Sequence, residues 1–321
     1  MSGLGDAFGV VQTWLFEGVV QPVLYRLDMV EYAEMAYNST EWFMYGVIEL
    51  AVLYAILRPL EARFPAEQWA DRRQVKSDVI YTLLNRLGVV PLAFFFLLTP
   101  VLDRFESALK LAGYHPFNLE DLLPYLARQP LAAFFVYLVV LDFAEYWRHR
   151  LQHRFQWWWA LHALHHSQRQ MSFWTDNRNH LLDDLFGALW FAGIALLIGV
   201  PPGQFLLIVI ATRMLESLQH ANLRLSFGAV GERLLVSPRF HRLHHAIGDG
   251  HEGPYRGRNF AVLFPAWDVM FGTADFSARY GPTGVRDQLA GRDYGTGFWA
   301  QQRLGLRRFF AALGRQSASA A

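Results

Sequence analysis

Residues 185–212 read LFGALWFAGIALLIGVPPGQFLLIVIAT and contain no charged side chain. A helix needs about 20 mostly apolar residues to cross a bilayer, so this run is too long for a single span. Its Pro201-Pro202-Gly203 sequence predicts a tight turn between two apolar rods. Both rods are short. The sequence therefore leaves two possibilities open, a pair of crossings completed by the flanking residues or a re-entrant hairpin.

Three further regions are apolar enough to compete for a membrane interpretation, namely 43–57, 79–102 and 130–141. The first is interrupted only by Glu49, and each must extend past its polar edges to reach a full span. The chain is 53% hydrophobic and 18% charged, against about 25% charged for typical soluble domains. Four such regions are hard to bury in a soluble all-α protein of this size. We therefore predict an all-α fold, a polytopic membrane helical bundle, with the short segment 14–25 interfacial or packed against it.

Composition excludes several classes of protein and of site. The formal net charge of +1 gives no case for nucleic-acid binding. The absence of cysteine rules out disulfides, thiolate metal sites and cysteine nucleophiles. The first ten residues lack a basic start followed by an apolar core, so no signal peptide is expected. We find no internal repeat apart from the histidine motifs described next. We predict one domain over 1–321, with a core at about 43–275 and a C-terminal extension at 276–321.

Ten of the twelve histidines fall between His149 and His245. They form three boxes and two single positions: HRLQH (149–153), HALHH (162–166), His180, His220 and HRLHH (241–245). Residues three or four apart share one face of a helix, so each box can direct its imidazoles at one point. Imidazole is the commonest side-chain metal ligand near neutral pH. The boxes therefore predict metal binding, whereas His115 and His251 are read as surface or loop residues.

The number of histidines and their setting bear on which metal is bound. Eight or more ligands exceed the coordination of one ion, so two ions are the natural count. A structural zinc site usually needs only four ligands. Imidazoles at the ends of lipid-embedded helices suggest instead a redox pair that faces an apolar substrate. Two irons can bind and reduce O2, which makes oxidation of an unactivated C–H bond chemically plausible.

The boxes and their neighbours resemble the membrane-bound fatty acid hydroxylase/sterol desaturase superfamily. The resemblance rests on HRLQH, HALHH, RNHLLD, HANL and HRLHH, and on the phrases WALHALHHS, SPRFHRLHHA and NFAVLFPAWDVMFGT (259–273). It covers roughly residues 130–275. It implies an O2-dependent diiron hydroxylase or desaturase that acts on a lipid, and it does not identify which lipid.

Carried over by position, the resemblance implies ten metal ligands. They are His149, His153, His162, His165, His166, His180, His220, His241, His244 and His245. Members of the superfamily differ in the middle ligands, which here are His180 and His220. Some have a second histidine four residues before the fourth box, where this chain has Glu216. That residue could be an oxygen ligand, an acceptor that orients a ligand, or neither.

Carboxylates near the boxes are candidates for orienting the ligands. Asp142 and Glu145 share one helix stripe with His149 and His153, and Asp183 and Asp184 follow His180. A metal-bound imidazole usually donates its second N–H to a carboxylate or a carbonyl. The alternative is that these side chains are polar groups at the membrane edge.

Electrons for the reaction must come from outside this chain. We find no Rossmann fingerprint, flavin motif or haem-binding segment. An external donor of the reductase, ferredoxin or cytochrome type is therefore expected. Four arginines could form its docking face, or could equally contact anionic lipid; they are Arg224, Arg233, Arg239 and Arg242.

The predicted topology places every histidine cluster on the same side of the membrane as the loop 58–78. That loop has five basic residues and the loop 103–129 has three, and a basic excess marks the cytoplasmic side. We therefore expect a cytoplasmic histidine-rich helical cap. A transporter would place its polar ligands near the bilayer midplane, which disfavours that class. The alternative function is a membrane zinc-dependent hydrolase with a metal-bound water as nucleophile.

Overall fold

The computed structural model describes residues 2–71, 73–114, 119–248 and 256–319, and their regular structure is helical. Within these ranges the only β-type pairing consists of two isolated bridges, Pro65 with Leu223 and Ala246 with Thr283. The predicted all-α class is confirmed. The long helices are α1 (Ser2–Leu15), α3 (Ala33–Arg63), α4 (Arg73–Arg86), α5 (Val89–Leu111), α8 (Pro130–Arg154), α9 (Gln156–His166), α10 (Leu181–Ile198), α11 (Pro202–His220) and α15 (Phe298–Ser319). The short helices are α2 (Gln21–Arg26), α6 (Leu119–Leu122), α7 (Pro124–Ala127), α12 (Gly228–Leu234), α13 (Pro238–His244) and α14 (Ala266–Met270).

Three helical segments are long and apolar enough to cross a membrane: residues 30–63, which include α3, and the helices α8 and α10. Helices α4 and α5 make a fourth span if the pair is counted as one broken helix, bent by 50°. Within the apolar 18-residue stretch of each segment, 22% of the first, 44% of α8 and 11% of α10 is buried inside the protein, so more than half of each stretch is left to face lipid. The predicted membrane helical bundle is therefore confirmed, and the chain is an integral membrane protein.

The turn predicted at Pro201-Pro202-Gly203 is also confirmed. Helix α10 ends at Ile198 because Gly199 adopts a left-handed conformation, with φ at 68°. Pro201 is extended, and Pro202 begins α11 at a position where a helix needs no N–H. The two rods thus form a hairpin. Its second arm, α11, carries Arg213 and Glu216 and is not one of the three spanning helices.

Region 79–102 differs from the single rod that the sequence predicts. Helix α4 ends at Arg86, and Gly88, with φ at 85°, precedes α5. The Arg86 side chain is completely buried and forms ion pairs with Glu49 at 2.6 Å and with Asp176 at 2.8 Å. It also donates to the main-chain oxygen of Arg213 at 2.8 Å. Glu49, the one charge in the apolar run 43–57, is therefore a partner in a buried network that joins α3, α4 and α11.

The N-terminal helix packs along α3, which is one of the two arrangements expected for the segment 14–25. The Phe16 ring meets the Tyr37 ring edge-on at 5.3 Å, and Phe8 stacks on Tyr45 at 5.1 Å. Gln12 donates to the main-chain oxygen of Tyr37 at 3.0 Å.

Packing around α8 places the histidine-bearing ends of the helices together. Tyr137 and Leu141 of α8 lie in a core cluster with Ala195 of α10, Ile208 of α11 and Leu263 of the segment after α13. This core holds α8, α10 and α11 in fixed positions relative to one another.

The loop between α3 and α4 packs on the same end of the bundle, where Ala66 N–H donates to the carbonyl of Asn222 at 3.2 Å. At the opposite end, the Tyr114 hydroxyl donates to the carbonyl of Leu197 at 3.1 Å. The ends of α8 and α11 and the start of α10 therefore face one side.

The crossing of α3 and α4 at Gly46 yields a stability prediction. A Cβ atom at Gly46 would overlap the main-chain oxygen of Arg86. Gly46→Ala should destabilise the protein by roughly 1–3 kcal/mol, because α4 must shift while its last residue is held in the buried network. Thermal unfolding in detergent, followed by fluorescence, measures the effect. Gly193→Ala in α10 is the control, since a Cβ there meets nothing within 4 Å. Equal midpoints for the two variants would contradict the tight crossing.

Candidate metal centre

Nine of the ten predicted ligands lie in two groups of buried histidines. The five-histidine group contains His149, His153, His162, His166 and His244, and the four-histidine group contains His165, His220, His241 and His245. Within each group one nitrogen atom per residue lies within 4.8 Å of the others. The structure therefore brings His220 together with the histidines of the three boxes, but not His180.

Each of the two HxxHH boxes is divided between the groups. In α9, His162 and His166 point into the five-histidine group, and His165 points into the four-histidine group. In α13 the division is reversed, because His241 and His245 join the four-histidine group and His244 joins the other. The i, i+4 pair of each helix shares one face, and the remaining histidine is turned away from it. Neither box builds a site alone, so α9 and α13 each contribute to both groups.

Histidine rings of the two groups stack against each other. The rings of His166 and His245 lie 4.4 Å apart with an interplanar angle of 20°. The rings of His162 and His165, one from each group, lie 5.3 Å apart with an interplanar angle of 27°. Two ions held by these groups would thus be neighbours rather than independent sites.

Four members of the five-histidine group each donate Nδ1–H to an oxygen atom. The pairs are His149 with the carbonyl of Phe260 at 2.8 Å, His153 with that of Arg256 at 3.1 Å, His244 with that of Arg258 at 2.8 Å, and His162 with the carboxylate of Asp183 at 3.0 Å. A carbonyl or carboxylate oxygen can only accept, so Nδ1 carries the proton. In the neutral ring, Nε2 then presents its lone pair to the centre of the group.

The four-histidine group brings Nε2 atoms close together. The Nε2 of His220 lies 3.1 Å from that of His165 and 2.9 Å from that of His241. The Nε2 of His245 lies 3.1 Å from that of His241. His220 donates Nδ1–H to the carbonyl of Glu216, one turn earlier in α11, at 2.8 Å. Its Nε2 is therefore an acceptor that faces other ring nitrogens.

The protonation state of the rings fits metal binding. Burial lowers the pKa of His165, His166, His241 and His245 well below the ordinary value of 6.5, and neighbouring histidines lower it further. These rings are neutral at physiological pH, which is the form that coordinates a metal ion.

Within the part of the chain that the structure describes, two of the buried ring nitrogens without a hydrogen-bond partner are Nε2 of His149 and Nε2 of His162. Leaving a buried polar atom unpaired costs about 1–3 kcal/mol, and coordination to a cation removes that cost. The residues present therefore fit a metal ion in each group.

Of the five carboxylates considered from the sequence, Asp183 contacts a histidine through its side chain. Its Oδ2 accepts from His162, and its Oδ1 accepts from Gln152 at 2.8 Å and from Trp158 at 2.7 Å. Gln152 and Trp158 were not among the predicted site residues, although Gln152 lies inside the first histidine box.

The other four carboxylates have different surroundings. Asp142 accepts from the main-chain N–H groups of Leu263 at 2.8 Å and Phe264 at 3.1 Å. Glu145 forms an ion pair with Arg148 at 2.6 Å. Asp184 bonds to Asn179, and Glu216 reaches His220 through its carbonyl rather than its side chain. Asp142 thus acts on the site indirectly, by holding the segment just after the carbonyl of Phe260.

His180 lies apart from both groups. Its Nε2 donates to the carbonyl of Gln302 at 2.8 Å, and its Nδ1 accepts from Leu182 N–H at 3.1 Å, which caps the start of α10. Both ring nitrogens are engaged in these bonds. The remaining histidines, His115 and His251, lie outside the described residues.

The main-chain carbonyls that hold three of these histidines come from the segment 256–260, in which no site residue was predicted. Arg256 and Asn259 in it have φ at 57°, a left-handed conformation rare outside glycine. The Asn259 side chain is fully buried and donates to the carbonyls of Phe240 and Asp275. The sequence signal available was the asparagine, which tolerates this conformation better than most residues.

Comparison with known proteins agrees with this geometry. Residues 134–273, which contain all ten predicted ligands, match the family model described as fatty acid hydroxylase. The chain is 28% identical over 243 residues to the ornithine lipid hydroxylase OlsE of Rhizobium tropici, covering 72% of this chain and 66% of that protein. No solved structure matches the chain.

Alkylglycerol monooxygenases match over a shorter segment. The Danio rerio protein is 31% identical over 134 residues and the Homo sapiens protein 29% over 133 residues, covering 41% of this chain and 28% of each relative. The chain therefore spans less than two thirds of the bacterial relative and little more than a quarter of the animal ones. The resemblance to the fatty acid hydroxylase/sterol desaturase superfamily, predicted from the histidine boxes, is confirmed.

The contacts of Asp183 yield a prediction for metal affinity. Its carboxylate accepts three N–H bonds, whereas an asparagine has one acceptor oxygen and must turn an NH2 toward a donor. Asp183→Asn should therefore weaken metal binding at the five-histidine group about 10- to 100-fold, the usual effect of losing a partner that orients a ligand. Competition with a chelator measures the affinity. Asp184→Asn, one residue along, is the control and should keep the affinity of the parent protein. An unchanged affinity in Asp183→Asn would show that His162 needs no such partner.

Proposed function

We propose that this chain, whose histidine-rich segment matches the fatty acid hydroxylase family, is a membrane-bound non-haem diiron oxidoreductase that hydroxylates a lipid with O2. The observation that carries the proposal is the pair of adjacent groups, in which nine buried imidazoles meet at one end of apolar helices. A structural zinc site needs four ligands and no neighbour. Two contiguous nitrogen-only sites fit a redox pair better.

The ligand set in this proposal is the nine grouped histidines, without His180. Two iron ions bound there would supply the reduction of O2 that makes an unactivated C–H bond reactive. Burial holds the rings of His165, His166, His241 and His245 neutral, and the chain directs the Nε2 atoms of the two groups inward. It also excludes bulk water, since every ring in the two groups is buried. Asp183 keeps the proton of His162 on Nδ1, which fixes the orientation of that ring.

Hydroxylation is the proposed outcome, and desaturation is the alternative. One oxygen atom of O2 enters a C–H bond of the lipid, and the other leaves as water after taking up two electrons and two protons. Desaturation begins with the same hydrogen abstraction, but the lipid loses two hydrogens, and with two electrons and two protons both oxygen atoms of O2 leave as water. The names of the relatives, a lipid hydroxylase and several monooxygenases, favour oxygen insertion. The lipid would approach from the bilayer along α8 and α10, whose histidine-side ends lie beside the groups.

The two electrons would come from an external donor, because the sequence carries no motif for a redox cofactor other than the histidines. Trp159 is the residue that links the histidines to the surface. Its ring lies 4.9 Å from that of His153 and 5.3 Å from that of His166, and it lines a cleft of about 480 Å³ between α9 and α15. Arg292 and Arg308 line the same cleft.

The arginines that the sequence offers as a docking face have internal contacts. Arg242 pairs with Glu67 at 3.0 Å, and Arg239 pairs with Glu232 at 3.4 Å. The Trp159 cleft is the better candidate for close approach of a donor, because the Trp159 ring contacts the rings of His153 and His166.

We further propose that the histidine groups face the cytoplasm. The support comes from the loop 58–78, whose basic residues outnumber those of 103–129 by five to three. That loop packs on the histidine-bearing end through the ion pair between Glu67 and Arg242. Tyr114, from the loop with fewer basic residues, contacts the far end of α10.

Metal content tests the two groups separately. Protein made under iron-replete conditions should carry two irons per chain by elemental analysis. His162→Ala and His165→Ala, one from each group, should each lower this to about one. His180→Asn is the matched control, because asparagine can cap α10 in its place, and it should retain two. Loss of iron in His180→Asn with a folded protein would return that residue to the ligand set.

Lipid analysis tests the reaction. Extracts of cells that contain the active protein should differ from those with His162→Ala by one added oxygen in one lipid class, measured by mass spectrometry. The difference should vanish without O2. Loss of two hydrogens would identify a desaturase. Stoichiometric zinc, together with activity that persists without O2, would overturn the oxygenase and favour the alternative, a membrane zinc-dependent hydrolase.

A further inference from the structure

Helix α15 lies outside the segment that matches the hydroxylase family, yet it packs directly on the histidine-bearing helix α9. Its inner face is formed by Gln301, Gln302, Gly305, Phe309 and Ala312, all buried. Gln302 donates to the hydroxyl of Tyr81 in α4 at 2.9 Å, and its carbonyl accepts from His180. This face of the helix is therefore buried against the rest of the protein.

A second face of α15 is apolar and uncovered. Trp299 is 71% exposed, Leu306 39%, Phe310 61% and Leu313 36%. At 100° per residue these four side chains lie within about 60° of one another around the helix, so they form one stripe. Exposed apolar residues are ordinary when they are scattered, but a continuous aromatic and aliphatic stripe marks a contact surface.

The stripe is flanked by positive charge on the side away from the protein. Arg303 and Arg307 are exposed and lie one turn apart, next to the apolar residues around the helix. Beyond them Ala311, Gly314 and Arg315 complete an exposed face that is small or basic. The order around the helix is therefore buried, apolar, then basic. An amphipathic helix with this arrangement suits the boundary between acyl chains and phosphate-bearing headgroups.

The contacts between α15 and the spanning helix α10 indicate the level of α15 relative to the bilayer. His180, which bonds to Gln302, is the residue immediately before α10. Phe309 contacts Phe186, in the second turn of the same spanning helix, with ring centroids 6.4 Å apart. Trp157, at the start of α9, also packs on Phe309 at 6.1 Å. Helix α15 is therefore attached at the histidine-side end of the spanning helix α10, the level at which that span meets the bilayer surface.

We propose that α15 is an interfacial helix that rests on the bilayer surface, with Trp299, Leu306, Phe310 and Leu313 among the upper acyl chains and Arg303 and Arg307 at the lipid phosphates. The occupant of the exposed stripe is the lipid surface itself. Helix α15 is attached to the end of a spanning helix, and the basic flank of its stripe complements anionic headgroups. The C-terminal extension then holds the cap against the membrane, with α9 and its three histidines packed on the buried face of α15, next to the stripe.

Site-directed spin labelling tests this directly, because the chain contains no cysteine. Single substitutions Leu306→Cys, Phe310→Cys and Ala311→Cys would be labelled in the full-length protein, reconstituted in nanodiscs of phosphatidylcholine and phosphatidylglycerol. Power saturation with O2, which concentrates in lipid, and with the water-soluble nickel complex of ethylenediaminediacetate reports the depth of each label. The ratio of O2 to nickel collisions should be several-fold higher at 306 and 310 than at 311.

The neighbouring positions 310 and 311 form a matched pair, since both are exposed and differ only in the side of the helix that they occupy. Equal, high nickel accessibility at both would place the stripe in water and overturn the proposal. A label at 310 that is shielded from both reagents would show that protein covers the stripe, as in a dimer, and would also overturn it. Iron content and unfolding temperature equal to those of the parent chain show that each labelled variant is folded. The measurement has no catalytic readout, so it stands apart from the proposed reaction.

Discussion

The structure is governed by the need to bury nine imidazoles with their lone pairs directed inward. A buried imidazole has two nitrogens to satisfy, and a metal ion can satisfy only one of them. In the five-histidine group the protein satisfies the second nitrogen itself, through three main-chain carbonyls and Asp183. This requirement explains why the segment 256–260 takes an irregular, left-handed path: its carbonyls must face α8 and α13 rather than each other. The loop conformation follows from the ligands, and the side chains of Asn259 and Asp268 hold it there.

A second constraint is that the polar ends of the helices must stay in register at the edge of an apolar bundle. Arg86 contributes to this by joining Glu49 of α3, Asp176 and the end of α11 within one buried cluster. Burying an isolated charge is costly, so such a residue is stable only when its partners occupy fixed positions. Asp176 lies 3.9 Å from the Nδ1 of His220. The cluster that breaks the predicted rod 79–102 therefore also lies against the four-histidine group.

The sequence predicts the features that depend on residues close together in the chain. It does not predict the contacts between residues far apart in the chain. The spans, the hairpin at Pro201-Pro202 and the shared faces within each box are local, and apolar runs and residue spacing reveal them. The division of each HxxHH box between two groups depends on how α9 and α13 pack, which spacing alone leaves open. The acceptors for His149 and His153 are main-chain atoms more than a hundred residues away. Such contacts leave no side-chain pattern, so Asp142 and Glu145, the nearest carboxylates in sequence, were the natural candidates.

His180 shows how a residue can share the pattern of a metal ligand and have another place in the structure. It precedes α10, caps that helix with Nδ1 and reaches the carbonyl of Gln302 with Nε2. Three residues later Asp183 accepts from His162, so the start of α10 is tied on one side to α15 and on the other to the five-histidine group. A side chain at Gly305 would collide with the His180 ring, which leaves the ring little freedom to move. The position of α15 therefore affects the orientation of the His162 ring. Gln302 of α15 bonds to His180, and one turn later Asp183 bonds to His162. An element outside the segment that matches the hydroxylase family is in this way part of the structure that orients the five-histidine group.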